Sequence, residues 1–325
     1  MKKKALQILP WVITIIALYL AFRGIDWKIL LNYLKTGNIL WLSLAVVATF
    51  LSYIIRSFRW QFFFPTKDIT FLNSYKVLIL GFFMNNLLPA RAGELVRAHL
   101  GSKVTNFKRT QVLASIASER LADGLVLSFF FLLVALTTHF SGNSKNLFYV
   151  VFLFILAAIL IILTLIFKNR IFTYLEKINL KLNKSLITYA IERIKLFIDG
   201  LKPMFSRKRF PILSSSSFTV WLVELLAYYL ISQAFNAELS FAACVVFLVA
   251  INFSSLIPAA PAGIGVIEAV ATAILVAIGI EKELALSMVI SQHIIQILVI
   301  GIQGALIMLT WNLHIKDIQN ISENA

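Results

Sequence analysis

Charge is what this sequence has least of. Only 14% of its residues are Asp, Glu, Lys or Arg, against about 25% in soluble domains, while 60% are apolar. That balance excludes a water-soluble globular fold and implies an integral membrane protein. Cysteine is nearly absent. Cys244 stands alone in an apolar run, so neither an intrachain disulfide nor a cysteine-based metal site is available, and it reads as a small buried hydrophobe. The four histidines, His99, His139, His293 and His314, are scattered without HExxH or similar spacing, so no metal is expected. No GxxxxGK[ST] loop occurs, which excludes ATP hydrolysis within this chain, and no cofactor is expected. Acids are scarce too, 15 against 30 Lys and Arg. The bases lie between apolar spans, not on one folded basic face, so they read as topology signals and contacts to anionic lipid, with no nucleic acid as partner.

Long apolar runs are what the sequence does have. Spanning helices need about 20 mostly apolar residues, and 5–22, 38–55, 121–138, 146–167, 212–235 and 285–311 qualify. The basic, then apolar start has the character of a secretory signal. No convincing A-x-A site follows it, so 5–22 is read as an uncleaved first span. Two further regions, 74–88 followed by 104–118 and 241–257 followed by 264–280, are short or polar and hinged by Pro and Gly. They are read as re-entrant hairpins. The expected fold is an all-α integral membrane protein with about six to eight transmembrane helices and two broken hairpins in an inverted-repeat arrangement. A competing reading counts both hairpins as full spans, giving about eight to ten crossings.

Segment 168–211 carries eleven Lys and Arg against three acids, which places it in the cytoplasm together with the N-terminal lysines. It divides a first membrane half, 1–167, from a second, 212–325, in a multi-pass protein of the plasma membrane. Within it, Ile187, Ile191, Ile194, Ile198 and Leu201 recur at helical spacing between bases, an amphipathic helix suited to the inner leaflet. Charge bookkeeping then brings the first hairpin in from the cytoplasmic face and the second from the outer face.

The breaks are NNLLPARAGELVRAHL at 85–100 and NFSSLIPAAPAGIGVIEAV at 252–270. Pro89, Gly93, Pro258, Pro261, Gly263 and Gly265 interrupt the helices. A break inside a bilayer frees backbone groups that lipid cannot satisfy, so it must be buried in protein or line a wet cavity. Paired breaks in corresponding halves point to a transport pathway. Charges in a span cost at least about 2.5–3.5 kcal/mol each, so they need partners or a function. Asn86, Arg91, Glu94, Arg97, Glu119, Arg120, Asp123, Glu224 and Glu268 are the candidate substrate-binding residues, and no catalytic residue is assigned. Arg91 is suited to phosphate. Glu119, Arg120 and Asp123 read equally as a structural charge network between helices. Arg56 and Arg59, three apart at a helix end, are expected to snorkel to the inner interface. The second break is nearly uncharged and is expected to shape a cavity, with Asn252, Ser254, Ser255 and Glu268 as its polar contacts.

These residues carry a resemblance. Asn86, Pro89, Arg91, Gly93, Glu94 and Arg97, then Glu119, Arg120 and Asp123, then Pro258, Gly263, Gly265 and Glu268, with Arg56, Arg59 and Trp60 upstream, resemble the lysylphosphatidylglycerol synthase transmembrane region, the flippase-like membrane family. In members that make aminoacylated phospholipid, this region is fused to a soluble aminoacyl-transfer domain, and the membrane part is implied to move lipid between leaflets. With the chain ending at Ala325, soon after the last span, no such catalytic domain is expected. The favoured reading is a translocator of a phospholipid or lipid-linked head group. In it, Arg91 engages phosphate, and Glu94, Asp123, Glu224 or Glu268 engages an ammonium group or exchanges protons. Its partners are membrane lipids, anionic or aminoacylated phospholipid or a lipid-linked intermediate. One alternative is a membrane-embedded transferase of the phosphatidylglycerol lysyltransferase kind, with Glu94 or the Glu119 and Asp123 pair as general base. The short soluble segments, without a nucleotide fingerprint, argue against it. A second alternative is a non-catalytic membrane subunit of a separate synthase.

Overall fold

A computed structural model describes residues 2–66, 69–88, 92–137, 145–182, 185–255, 257 and 260–311, and among these every regular element is helical. The α-helices are α1 (Lys2–Phe22), α2 (Trp27–Thr36), α3 (Ile39–Trp60), α4 (Phe71–Leu87), α5 (Gly93–Val104), α6 (Arg109–Thr137), α7 (Lys145–Leu182), α8 (Ser185–Leu201), α9 (Phe210–Ala234), α10 (Phe241–Ser254), α11 (Val266–Ala277) and α12 (Lys282–Thr310). Short polar side chains start several of them. Asp26 accepts from the backbone N–H groups of Lys28 and Ile29, Asn38 from Leu40, Thr70 from Asn73 and Ser240 from Ala243. Each bond satisfies a donor that the first helical turn leaves orphaned.

The burial pattern is inside-out relative to a soluble protein. Ile39 and Leu309 are 76% and 75% exposed, whereas Arg59 and Glu119 are 0% exposed. Apolar side chains facing outward suit hydrocarbon, and charges gathered inward avoid it. Among the described residues, three stretches are long and apolar enough to cross a membrane: Ile39–Phe63, Phe210–Ala234 and Lys282–Thr310. Pro10–Phe22, Phe241–Ser254 and Pro261–Ala277 are shorter apolar helices. The chain is an integral, multi-pass membrane protein.

Two sets of four helices pack in the same way. In the first, α3 packs on α4, α4 on α5 and α5 on α6; in the second, α9 packs on α10, α10 on α11 and α11 on α12. Between the sets, α3 lies along α9, α6 meets α9 as α12 meets α3, and α4 meets α12 as α10 meets α6. Exchanging one set for the other maps each of these contacts onto another. The central helices run antiparallel. Asn38 N–H bonds to Ala234 O, Ser52 to Glu224, Arg59 to Ser217 and Arg209 to Phe62 O, so the numbers on one helix rise as those on the other fall.

Three features differ from the sequence reading. The second arm of the first hairpin was expected at 104–118, but it is α5, and 109–137 forms one helix. Thr105 causes the offset: its hydroxyl bonds to Gly101 O at 2.7 Å and accepts from Phe107 N–H at 3.3 Å, ending α5 and turning the chain before α6. The polar residues of 104–109 are therefore a loop. Second, α7 continues past residue 167 as a single helix of 38 residues. Third, α2 had no apolar run long enough to announce it. Its single buried residue, Leu30, packs with Ile25 and Leu286. The amphipathic helix of the basic segment is α8, which buries Ile191, Ile198 and Leu201.

Candidate functional site

The first break separates α4, ending at Leu87, from α5, beginning at Gly93; Pro89 and Arg91 lie outside the described residues. The two arms close tightly on each other. A Cβ on Gly93 would stand 2.2 Å from Gly81 O and 2.6 Å from Asn85 N, both backbone atoms, so only glycine lets α5 start there.

The second break runs from Ser254 to Val266 and contains a single turn, Pro261–Gly263; Pro258 lies outside the described residues. Ala262 at φ 61°, Gly263 at 78° and Gly265 at 86° occupy the left-handed region, which reverses the chain and which glycine adopts most cheaply. Freed backbone groups find protein partners here. Thr14 of α1 accepts from Ala260 N–H at 3.1 Å and donates to Ile264 O at 3.3 Å. Glu268 accepts from Gly265 N–H at 2.6 Å and so caps α11. An interrupted helix in lipid requires such partners.

A cavity of about 260 Å³ lies between the two breaks. Of the expected site residues, Asn86, Glu94, Arg120, Glu224, Asn252, Ser255 and Gly263 line it, joined by Arg56. Arg97, Glu119, Asp123 and Glu268 do not line it; they stand behind it, paired to other groups. Ser254 is buried and bonded to Ile251 O at 2.8 Å.

Behind the first break is a buried charge network. Arg59 binds Asp123 at 2.6 Å and Glu119 at 3.6 Å and donates to Ser217 at 2.9 Å. Arg56 binds Asp123 at 3.1 Å and Glu224 at 3.5 Å, Arg97 binds Glu119 at 2.5 Å, and Trp221 donates to Asp123 at 3.0 Å. Arg56 lies 4.6 Å above the Trp221 ring and Arg97 4.2 Å above Trp60. The expected snorkelling of Arg56 and Arg59 is therefore replaced by burial. Helix α3 is antiparallel to α9 and is ion-paired to α6, so carboxylates meet both guanidiniums inside the bundle. Attraction within such pairs offsets part of their desolvation cost, and their geometry fixes α3, α5, α6 and α9 against one another.

Sequence reasoning missed His293. Its Nε2 faces Ala262 O at 3.1 Å and its Nδ1 faces Glu268 Oε1 at 2.6 Å. A carbonyl only accepts, so the contact to Ala262 O needs the tautomer with its proton on Nε2. The signal for this residue was present in the sequence. Ser118, Glu119, Arg120 and Asp123 have the same spacing as Ser291, Gln292, His293 and Gln296. Arg120 lies eleven residues after Arg109, the start of α6, and His293 lies eleven after Lys282, the start of α12, and both helices have 29 residues. Arg120 binds Glu94 at 3.0 Å as His293 meets Glu268, and both carboxylates sit in the first turn after a break.

Among the described residues no group of three or more His, Cys, Asp or Glu could hold a metal ion. The arrangement can bind a polar group between the two breaks.

The sequence profile of the family described as "lysylphosphatidylglycerol synthase TM region" matches residues 7–304. A UPF0104 membrane protein of Pyrococcus horikoshii is 27% identical over 95% of this chain and 97% of its own length. Another, from Methanocaldococcus jannaschii, is 30% identical over 69% of this chain and 92% of its own. A third, from Methanothermobacter thermautotrophicus, is 28% identical over 78% of each. With its profile matched from the first helix into the last, the chain belongs to the lysylphosphatidylglycerol synthase transmembrane region family.

Proposed function

We propose that this protein is a lipid translocator. A lipid head group crosses the membrane through the cavity between the two breaks while its acyl chains stay in the bilayer. The observation that carries this reading is a polar cavity walled on both sides by interrupted helices, Asn86 and Glu94 on one side and Ser255 and Gly263 on the other. Helix arms α5 and α11, 12 residues each, are about 18 Å long at 1.5 Å per residue. That is well short of the ~30 Å hydrocarbon core, which supports re-entrant hairpins and breaks near the midplane. The antiparallel packing of α3 on α9, within the exchange-symmetric contacts, supports an inverted repeat, the architecture that alternates access around one central site.

Glu94, Arg120 and Glu224 line the path of the passing head group, and Arg91 contacts the phosphate of a phospholipid or lipid-linked intermediate. Glu268 and His293 hold a proton that the transport step can exchange. The basic 168–211 segment lies at the cytoplasmic face of the cell membrane. The test is leaflet exchange in proteoliposomes carrying labelled anionic and aminoacylated phospholipids or a lipid-linked sugar. Exchange dependent on Glu94 is the expected result. Absence of exchange for every lipid, with the protein folded and inserted in both orientations, overturns the reading.

A further inference from the structure

Resting on the translocator reading, we infer that the cavity selects an uncharged, hydroxyl-rich head group of monosaccharide size, in preference to an ammonium-bearing one. Three independent features of the wall support this.

The first is charge. Among the described residues both arginines at the wall already have carboxylates, Arg56 with Asp123 and Glu224 and Arg120 with Glu94, and His293 meets Glu268. No carboxylate there is left over for an ammonium group among the described residues. An incoming ammonium group would have to part an existing pair, whereas a neutral polyol would not.

The second is the set of groups that remain. Gln292 is only 5% exposed, yet its Oε1 has no hydrogen-bond partner among the described residues; Asn85 Oδ1 and Asn86 Nδ2, on the facing wall, are likewise unpartnered. Two acceptors and a donor without protein partners are costly unless water or a ligand satisfies them. Hydroxyl groups, which donate and accept at once, match that mixture. Asn252 donates to Leu248 O at 2.9 Å, but three bonds between wall side chains are long: Gln292 to Gln296, Gln296 to Tyr53 and Asn252 to Tyr228 all measure 3.4 Å. They lie beyond the usual range of about 2.7–3.2 Å and are readily exchanged for ligand bonds.

The third is the internal comparison. Where α6 carries Glu119 and Asp123, α12 carries Gln292 and Gln296 at the same spacing. The carboxylates of α6 are bound to Arg97, Arg59 and Arg56, while the amides of α12 face the cavity. The half without the arginine network therefore presents neutral amides where the other half has buried anions.

The experiment is binding to the full-length protein in detergent, read by native mass spectrometry and intrinsic tryptophan fluorescence. The probes are glucosyl diacylglycerol, phosphatidylethanolamine, lysylphosphatidylglycerol and free glucose. Glucosyl diacylglycerol is expected to bind more tightly than either amine-bearing lipid. Gln292→Leu and Asn86→Ala, each checked for an unchanged melting temperature, are each expected to weaken that binding about tenfold, the value of one lost hydrogen bond. Tighter binding of an amine lipid, no binding of the glucosyl probe, or indifference to both substitutions overturns the inference. Glucose binding as tightly as the glucosyl lipid would leave the hydroxyl-selective wall standing and remove the lipid from the reading. Leaflet exchange of amine lipids alone would do the opposite.

Discussion

Arg120 and His293 occupy equivalent places in the two halves of the molecule. Each stands eleven residues into a 29-residue helix and faces a carboxylate in the first turn after a break, Glu94 at 3.0 Å and Glu268 at 2.6 Å. The two pairs differ in exposure. The Arg120 and Glu94 side chains are 31% and 30% exposed, those of His293 and Glu268 5% and 9%. The partly exposed pair contributes little to stability, while the buried one holds α11 against α12.

That difference gives contrasting mutants. Glu94→Gln should change the melting temperature little, since a partly solvated ion pair contributes about 0–1 kcal/mol, yet it should strongly reduce leaflet exchange. Glu268→Leu should destabilise the fold. It removes the acceptor for Gly265 N–H, worth about 1 kcal/mol as a helix cap, and orphans a buried histidine nitrogen at about 1–3 kcal/mol. Thermal unfolding in detergent measured beside transport separates the two outcomes.

The buried network behind the cavity should behave as a structural unit. Arg59→Ala leaves Asp123 without its 2.6 Å partner and should cost about 3–5 kcal/mol. Arg59→Met combined with Asp123→Leu removes both charges, so the double variant should be more stable than Asp123→Leu alone. The measurement is a double-mutant cycle of unfolding in detergent. A strictly additive result would remove the coupling argued for these helices.

Gly93 tests the close approach of the first break. Gly93→Ala drives a methyl group into Gly81 O and Asn85 N, which are backbone and cannot rotate away, so it should destabilise by about 1–3 kcal/mol through overpacking. Gly301→Ala is the control. A Cβ there meets nothing within 4 Å, and the change should stabilise α12 by about 1 kcal/mol through helix propensity. Melting temperatures of the two variants should move in opposite directions.

The membrane orientation is testable by labelling. In a background lacking Cys244, a cysteine replacing Lys208 should react with a membrane-impermeant reagent only after cells are opened. Labelling of intact cells would place the basic segment outside and reverse the direction assigned to both hairpins.

Much of this architecture was legible in the sequence because lipid allows few solutions. Apolar runs long enough to span, Pro and Gly interruptions at 85–97 and 252–268, and the amphipathic spacing of Ile191 and Ile198 each have one dominant physical reading. Asn86, Glu94, Arg120 and Glu224, singled out from the sequence, all line the cavity. The burial of Arg56 and Arg59 was not legible, because snorkelling and buried pairing differ only in which helix lies opposite, and α9 is far away in the chain. His293 escaped because it was weighed as an isolated histidine. Its meaning comes from the repeated spacing of Ser118 to Asp123 in Ser291 to Gln296, and from the turn at Ala262 that carries an acceptor to its ring.

The central claim, passage of a head group through the cavity between the breaks, is tested most directly by blocking that cavity reversibly. Cys244 is buried, and among the described residues it is a free thiol, so Cys244→Ala gives a background in which Asn86→Cys is the one reactive site. Leaflet exchange in proteoliposomes would be measured before and after attaching a bulky thiosulfonate reagent, and again after its reduction. Exchange should fall to the protein-free rate on labelling and recover when the group is removed. Exchange that continues unchanged with Asn86→Cys fully labelled would contradict it.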